Sequence, residues 1–193
     1  MNAVGILLAA GRGRRFDPAG TRNKLLQALA GDEPVVVASA RHLMDVLPRV
    51  IAVVPPGDGG VGEALRALGC DVTVCDAADS GMAASLVHAI RHSLHDSHRR
   101  ADAWLVALGD MPFVEPGTMR ALLAALSEGA GIAAPVMQGR RGNPVAFGAA
   151  HLPALLALEG DAGARGLLKS APVAEVEVID PGIFRDIDTP ADL

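Results

Sequence analysis

Three groups of residues in this 193-residue chain have the types and spacing for chemistry on a phosphorylated ligand. The first is Gly11-Arg12-Gly13-Arg14-Arg15-Phe16, which directly follows an apolar run over residues 4–10, with Lys24 further on. Small residues let backbone N–H groups approach a polyphosphate closely, and arginine and lysine offset its charge. Three arginines within four residues repel one another unless an anion relieves them. The second is Gly109-Asp110-Met111-Pro112, at the end of the apolar run Trp104-Leu105-Val106-Ala107-Leu108. A carboxylate there faces the crevice where open α/β sheets bind ligands. A hard cation such as Mg²⁺ takes one or two carboxylates and completes its shell with phosphate oxygens and water. The third is Asp186-Ile187-Asp188-Thr189-Pro190, in which strand alternation turns both aspartates to one side and makes either a candidate second metal carboxylate. Each aspartate also has a plain structural reading, as a turn or helix cap.

Glycine-bearing loops could serve the same ligand. Ser80-Gly81-Met82-Ala83-Ala84-Ser85 opens a helix, whose free N–H groups suit an anion. The segments 139–144 and 160–165 place Arg140, Arg141 and Arg165 beside glycine, and arginine in a glycine-permissive loop suits phosphate. The first loop is not a dinucleotide fingerprint, because Phe16 stands where the third glycine belongs. Nor is it a Walker loop, since no Gly-Lys-Ser/Thr follows. His88, His92 and His95 share one helical face, but Leu86, Ile90 and Leu94 lie opposite, so the histidines are expected to point to water rather than to hold a metal. Cys70 and Cys75 have no histidine neighbours at ligand spacing and read as inert.

The elements that must position these residues alternate between strand and helix. Strands are predicted over residues 4–10, 49–54, 71–75, 103–108, 132–137, 144–147 and 173–179. Helices are predicted from Pro34 in a first turn, capped by Asp32 or Glu33, to about residue 47, and over 62–68, 82–98, 116–126, 149–158 and 162–169. This alternation implies one α/β domain over residues 1–193, an open, mostly parallel but mixed sheet with helices on both faces. Half of the residues are apolar and only 3% aromatic, so the core is aliphatic. A net charge of -5 argues against nucleic acid as a partner. No membrane-length apolar run or signal peptide is seen, which predicts a cytoplasmic protein away from membranes.

Taken together, these segments resemble the molybdopterin nucleotidyltransferase family, most closely its molybdenum cofactor cytidylyltransferases. The shared segments are Leu8-Ala9-Ala10-Gly11 with its arginine and lysine, Gly81-Met82-x-x-Ser85-Leu86, Gly109-Asp110-Met111-Pro112, Arg141-Gly142-x-Pro144 and Gly160-Asp161-x-Gly163-Ala164-Arg165, in the family's order. The chain departs from the pattern at Gly13, where serine is usual, and in the spacing to Lys24, which the insert 17–20 lengthens. That insert predicts a mobile lid, with Lys24 or Arg22 as the cation reaching the phosphates. The resemblance implies transfer of CMP from CTP to the phosphate of molybdopterin, already carrying molybdenum, with Mg²⁺ as cofactor and a molybdenum hydroxylase as a recipient of the product. It implies nucleotide contacts from Leu8, Ala9, Ala10, Gly11, Gly13, Arg15, Lys24, Pro55 and Asp110, with Arg15, Lys24 and Asp110 catalytic. It implies acceptor contacts from Gly81, Met82, Ser85, Arg141, Gly142, Asp161 and Arg165, and metal ligation by Asp110 and Asp188. The alternatives are guanylyl transfer to molybdopterin, nucleotidyl transfer to another phosphorylated acceptor, and a chaperone that binds nucleotide or cofactor without turnover.

Overall fold

The computed structural model describes residues 1–11, 13, 15–19, 21–95, 100–160 and 163–193. Its strands are β1 (Ala3–Leu8), β2 (Val50–Val54), β3 (Asp71–Val74), β4 (Ala103–Leu108), β5 (Ile132–Met137), β6 (Arg140–Arg141), β7 (Val145–Gly148) and β8 (Ala174–Glu177). The helices are α1 (Val35–Met44), α2 (Val61–Leu68), α3 (Met82–Ser93), α4 (Pro116–Ser127), α5 (Leu152–Leu156) and α6 (Arg165–Ser170). The strands form one sheet in the order β3-β2-β1-β4-β7-β5-β6, with β8 beside β5. β1 to β4 run parallel, while β7 lies antiparallel between β4 and β5. This is the mixed α/β sheet expected from the sequence.

The core lies in two layers because each central strand is apolar on both faces. Leu7 and Leu105 point to the layer beneath α1, α2 and α4, where Val36, Leu43, Leu65 and Leu122 are fully buried. Val4, Ile6 and Trp104 point the other way, against Leu86 and Ile90 of α3 and Leu155 of α5. Burial of each such leucine or isoleucine contributes about 2 kcal/mol. The one tryptophan is satisfied within this layer: Trp104 Nε1 donates to Ser93 Oγ at 2.9 Å.

Several boundaries differ from expectation for local reasons. α1 starts after Pro34, not with it, and neither Asp32 nor Glu33 caps it. Pro34 bridges Ala28, and the Val35 N–H donates to the Gln27 carbonyl, so backbone satisfies the helix start. α3 ends at Ser93, and residues 96–99, where the expected extension falls, lie outside the described residues. The glycine loop after β5 is a two-residue hairpin turn. Gln138 (φ 54°) and Gly139 (φ 72°) both adopt the positive φ that such turns need, and this generates β6. Of the three histidines expected to face water, His95 is exposed, whereas His88 and His92 of α3 are half-buried. His88 bonds Thr73 Oγ1 at 2.7 Å and His92 meets Asp71 Oδ1 at 3.1 Å, so these two pack along edge strand β3, and His95 stacks on His92. Cys70 and Cys75 are free and buried, and burial pushes the Cys70 thiol up to about 11, so it is inert at neutral pH. Among the described residues no helix is long and apolar enough to cross a membrane.

Candidate active site

The site grows from the register of two strands. All six residues of β1 pair with β4, from Ala3↔Ala103 to Leu8↔Leu108, so their carboxyl ends are level. β2 and β3 extend from one side of β1 and β4 lies on the other, which makes this gap the point where the connections reverse direction. The Gly109 N–H donates to the Leu8 carbonyl at 2.9 Å and holds the two loop starts together. A Cβ on Gly109 would stand 3.2 Å from that carbonyl oxygen and 3.3 Å from both Ala9 Cβ and Val36 Cγ2, so glycine allows the close approach. From the α1 side, Ser39 Oγ donates to the Gly109 carbonyl at 3.0 Å or to that of Val35 at 3.1 Å.

The C-terminal segment brings the second carboxylate. Asp180, only 2% exposed, accepts from the Glu115 N–H, the Thr118 hydroxyl and the Gly182 N–H, which ties this segment to the start of α4. Gly182 and Gly142 pack where a Cβ would meet the backbone of Phe113 and Ile183. The chain then passes Asp110, whose carbonyl accepts from the Ile187 N–H at 2.8 Å. Asp188 follows, steadied by its own N–H donating to Asp192 Oδ2.

Lys24 lies between the two aspartates. Its Nζ donates to Asp110 Oδ2 at 2.6 Å and to the Ile187 carbonyl at 3.0 Å, and sits 3.6 Å from Asp188 Oδ1. Arg15 reaches Asp188 from the solvent side, with one guanidinium nitrogen 2.5 Å from its Oδ2. Asp186 stands nearby. Partial burial, followed by the charges of Asp188 and Asp110, raises its carboxyl above the ordinary range. Asp186 thus joins the carboxylate group, while Lys24 and Arg15 contact Asp188. Among the described residues no three His, Cys, Asp or Glu side chains form a ready metal cage. Two carboxylates bridged by an ammonium are nevertheless the donor set that a hard divalent ion sharing phosphate oxygens requires, and the ammonium marks a place where positive charge is stable.

The insert ahead of Lys24 has its own scaffold. Asp17 accepts from the N–H groups of Ala19, Thr21 and Arg22 and from the Thr21 hydroxyl. These bonds, the Thr21 hydroxyl first, hold its carboxyl below the ordinary range. The bonds tie Ala19, Thr21 and Arg22 back to the start of the insert. Asn23 then accepts from the Leu25 N–H and donates to the Asp58 carbonyl, starting the 3-10 turn that carries Lys24 inward. The nine-residue spacing therefore still delivers the lysine to the carboxylates. Arg22 points elsewhere, over the Phe16 ring at 5.5 Å. Gly13, at φ 58°, lies against the Lys24 stem, where its Cβ would be 3.2 Å from Cγ.

A cleft of about 380 Å³ opens beside this cluster. Leu8, Ala10 and Gly11 form one wall, Lys24 and Asp110 the base, and Gly81, Met82 and Ser85 the far wall. Ser85 is only 4% exposed and contributes a hydroxyl to the lining of this cleft. Asp79 also lines the cleft and was not singled out from the sequence; nothing in its spacing marks it. A second cavity, of about 550 Å³, lies across Gly11 from the first and contains Ala9 and Pro55. A smaller one, of about 90 Å³, shares Leu8, Met82 and Leu108 with the main cleft and carries Asn143 and Arg165. Arg141 and Gly142 are not brought to these walls. Arg141 binds Glu175 and the Leu168 carbonyl, and Gly142 packs on Ile183. Asp161, Arg12, Arg14 and Gly20 lie outside the described residues. Asp180 and Ser39, which set the carboxylates in place, were also missed from the sequence, since each bonds across long separations that no local pattern records.

The model of the MobA-like NTP transferase domain matches residues 5–176. The purine catabolism protein PucB of Bacillus subtilis (strain 168) is 28% identical over 201 residues, spanning 97% of this chain and 92% of its own. Among solved structures, Rv0371c from Mycobacterium tuberculosis H37Rv superposes with a TM-score of 0.79 at 29% identity, over 98% of this chain and 94% of its own. It has also been solved in complex with manganese, matching with a TM-score of 0.78 at 28% identity over 100% of this chain and 96% of its own. A nucleotidyl transferase from Methanothermobacter thermautotroptrophicus (Mth528) superposes with a TM-score of 0.79 at 25% identity, over 98% and 93% of the two chains.

Proposed function

The chain belongs to the MobA-like NTP transferase family, and from that premise we propose that it transfers CMP from CTP to the phosphate of molybdopterin carrying molybdenum. One observation carries the reading. The small-residue loop, a lysine, an arginine and two carboxylates from four separate chain segments converge at the carboxyl ends of β1 and β4, beside a cleft of about 380 Å³.

In the proposed reaction an oxygen of the acceptor phosphate attacks the α-phosphorus of CTP. The bond from that phosphorus to the bridging oxygen breaks, pyrophosphate leaves with the electron pair, and a dinucleotide linked through a new phosphoanhydride remains. The protein has little covalent work to do and acts by alignment and charge stabilisation. The backbone of Ala9, Ala10, Gly11 and Gly13 cradles the triphosphate, and Arg15 and Lys24 offset its charge. Ala10 and Leu8 border the base, and the Ser85 hydroxyl supplies a hydrogen bond within the same cleft. Pro55 closes the neighbouring wall. Asp110 and Asp188 would hold a divalent ion, Mg²⁺ by this reading, and the manganese complex of Rv0371c supports an ion of that class. Such an ion supplies charge stabilisation at the α-phosphate and orients the attacking oxygen.

The acceptor enters from the side of Met82, Asn143 and Arg165. Arg141 and Gly142 act there at one remove, by shaping the loop that presents Asn143. Support for the pterin acceptor comes from the five shared segments in their order, and support for cytosine from alanine at position 10. Offering CTP, GTP, ATP and UTP with molybdopterin and reading the dinucleotide by mass tests both choices. A CMP adduct is expected. A GMP adduct would move the chain to the guanylyl alternative, and binding with no pyrophosphate release would favour the chaperone.

A further inference from the structure

We propose that Lys24 and Arg15 are built-in competitors for the divalent ion, so that the free protein holds its carboxylates closed and the ion is admitted only as the nucleotide draws both cations away. The proposal rests on the reading that Asp110 and Asp188 are the metal carboxylates.

Lys24 is 8% exposed, and its ammonium touches Asp110, Asp188 and the Ile187 carbonyl at once. Arg15 covers the other Asp188 oxygen. An ion bridging the same two carboxylates at bonding distance would share the gap that the ammonium fills, and two positive charges exclude each other there. Either charge satisfies the aspartates, but not both together. The two cations also sit on the loop that leads from Gly11, the wall nearest a bound triphosphate. Phosphate oxygens there offer Lys24 and Arg15 a new anionic partner, and the carboxylates then pass from the ammonium to the ion. The exchange preserves charge pairing throughout and gives the free protein a reason to bind metal weakly.

The test titrates Mn²⁺ alone into the full chain and follows the free ion by electron paramagnetic resonance. Lys24→Met keeps the aliphatic stem and removes the ammonium, and should bind Mn²⁺ at least about tenfold more tightly than the unaltered protein. Arg15→Met should gain less, because Arg15 is 78% exposed and touches Asp188 alone. Arg22→Met removes a nearby positive charge that faces Phe16 and should change nothing. Adding Asp188→Asn to Lys24→Met should abolish the gain. Mn²⁺ affinity unchanged in both Lys24→Met and Arg15→Met would overturn the proposal. So would an equal gain in Arg22→Met, which would be a general charge effect, or a gain that survives loss of Asp188. If Lys24→Met does not fold, the exposed Arg15 position decides the matter. The titration contains no nucleotide or acceptor, so failure to detect CMP transfer would count against the proposed function and leave this result standing.

Discussion

The Ile187 N–H donates to the Asp110 carbonyl across 2.8 Å, and this bond sets the C-terminal segment in register with the end of β4. It places Asp188 and Asp110, 78 positions apart in the chain, around one ammonium group. The carboxylate pair is thus a property of backbone pairing as much as of the side chains. Changes that move either backbone should reach the chemistry without touching a charged group.

Gly109→Ala is the cleanest such change. Its new methyl would meet the Leu8 carbonyl at 3.2 Å and two carbons at 3.3 Å, so β1 and β4 must part slightly just where the site begins. Turnover is expected to fall by about tenfold to a hundredfold, with a stability loss of about 1–2 kcal/mol. Pyrophosphate release and a urea melt on the same preparation check both numbers.

Asp17→Ala should loosen the insert without disturbing the sheet. The substitution removes the acceptor for Ala19, Thr21 and Arg22. Hydrogen exchange at the Thr21 and Arg22 amides should accelerate, while amides of β1 and β4 keep their protection. Unchanged exchange at Thr21 and Arg22 would show that other contacts hold the turn.

The sequence was most legible where burial is two-sided. β4 matches its predicted bounds because Trp104 to Leu108 is a continuous apolar run that only an interior strand tolerates. β6 escaped notice because Arg140 and Arg141 are exposed and polar, and its hairpin depends on positive φ at Gln138, a residue without turn preference. In the site, the types and positions of Asp110, Asp188 and Gly11 were evident, whereas Asp180 was not. Asp180 acts through Thr118, 62 positions away, and no spacing rule connects them. Within the insert, Pro18 and Gly20 are the turn residues legible in the sequence. The governing residue is Asp17, whose side chain supplies the missing acceptor.

Base choice should respond to Ala10. Its methyl lines the cleft beside Leu8 and Gly11 and leaves less room for a purine. CTP is expected to be preferred over GTP, and Ala10→Gly should narrow that preference by several-fold in kcat/KM. Equal use of CTP and GTP by the unaltered protein would remove the cytidylyl reading.

His88 gives the fold a pH dependence away from the site. Burial first, and then the neighbouring His92, lowers its folded pKa below the ordinary 6.5. The unfolded chain therefore takes up the proton first on acidification. The stability that neutral His88 provides is complete above about pH 6.5 and is lost as pH falls from there towards the lowered folded value. His88→Gln can still bond Thr73 and should flatten this part of the profile, as read by urea midpoints at about pH 7.5 and about pH 5.5.

In the proposed reaction Asp110 carries the transfer step within an otherwise intact fold. The most direct measurement is pyrophosphate release and dinucleotide mass, with CTP, Mg²⁺ and molybdopterin, for the unaltered protein and for Asp110→Asn. A CMP adduct is expected from the former and at least about a hundredfold lower turnover from the latter, with the melting midpoint little changed. Turnover within a few-fold of the unaltered protein, with the same metal dependence, would contradict this role of Asp110.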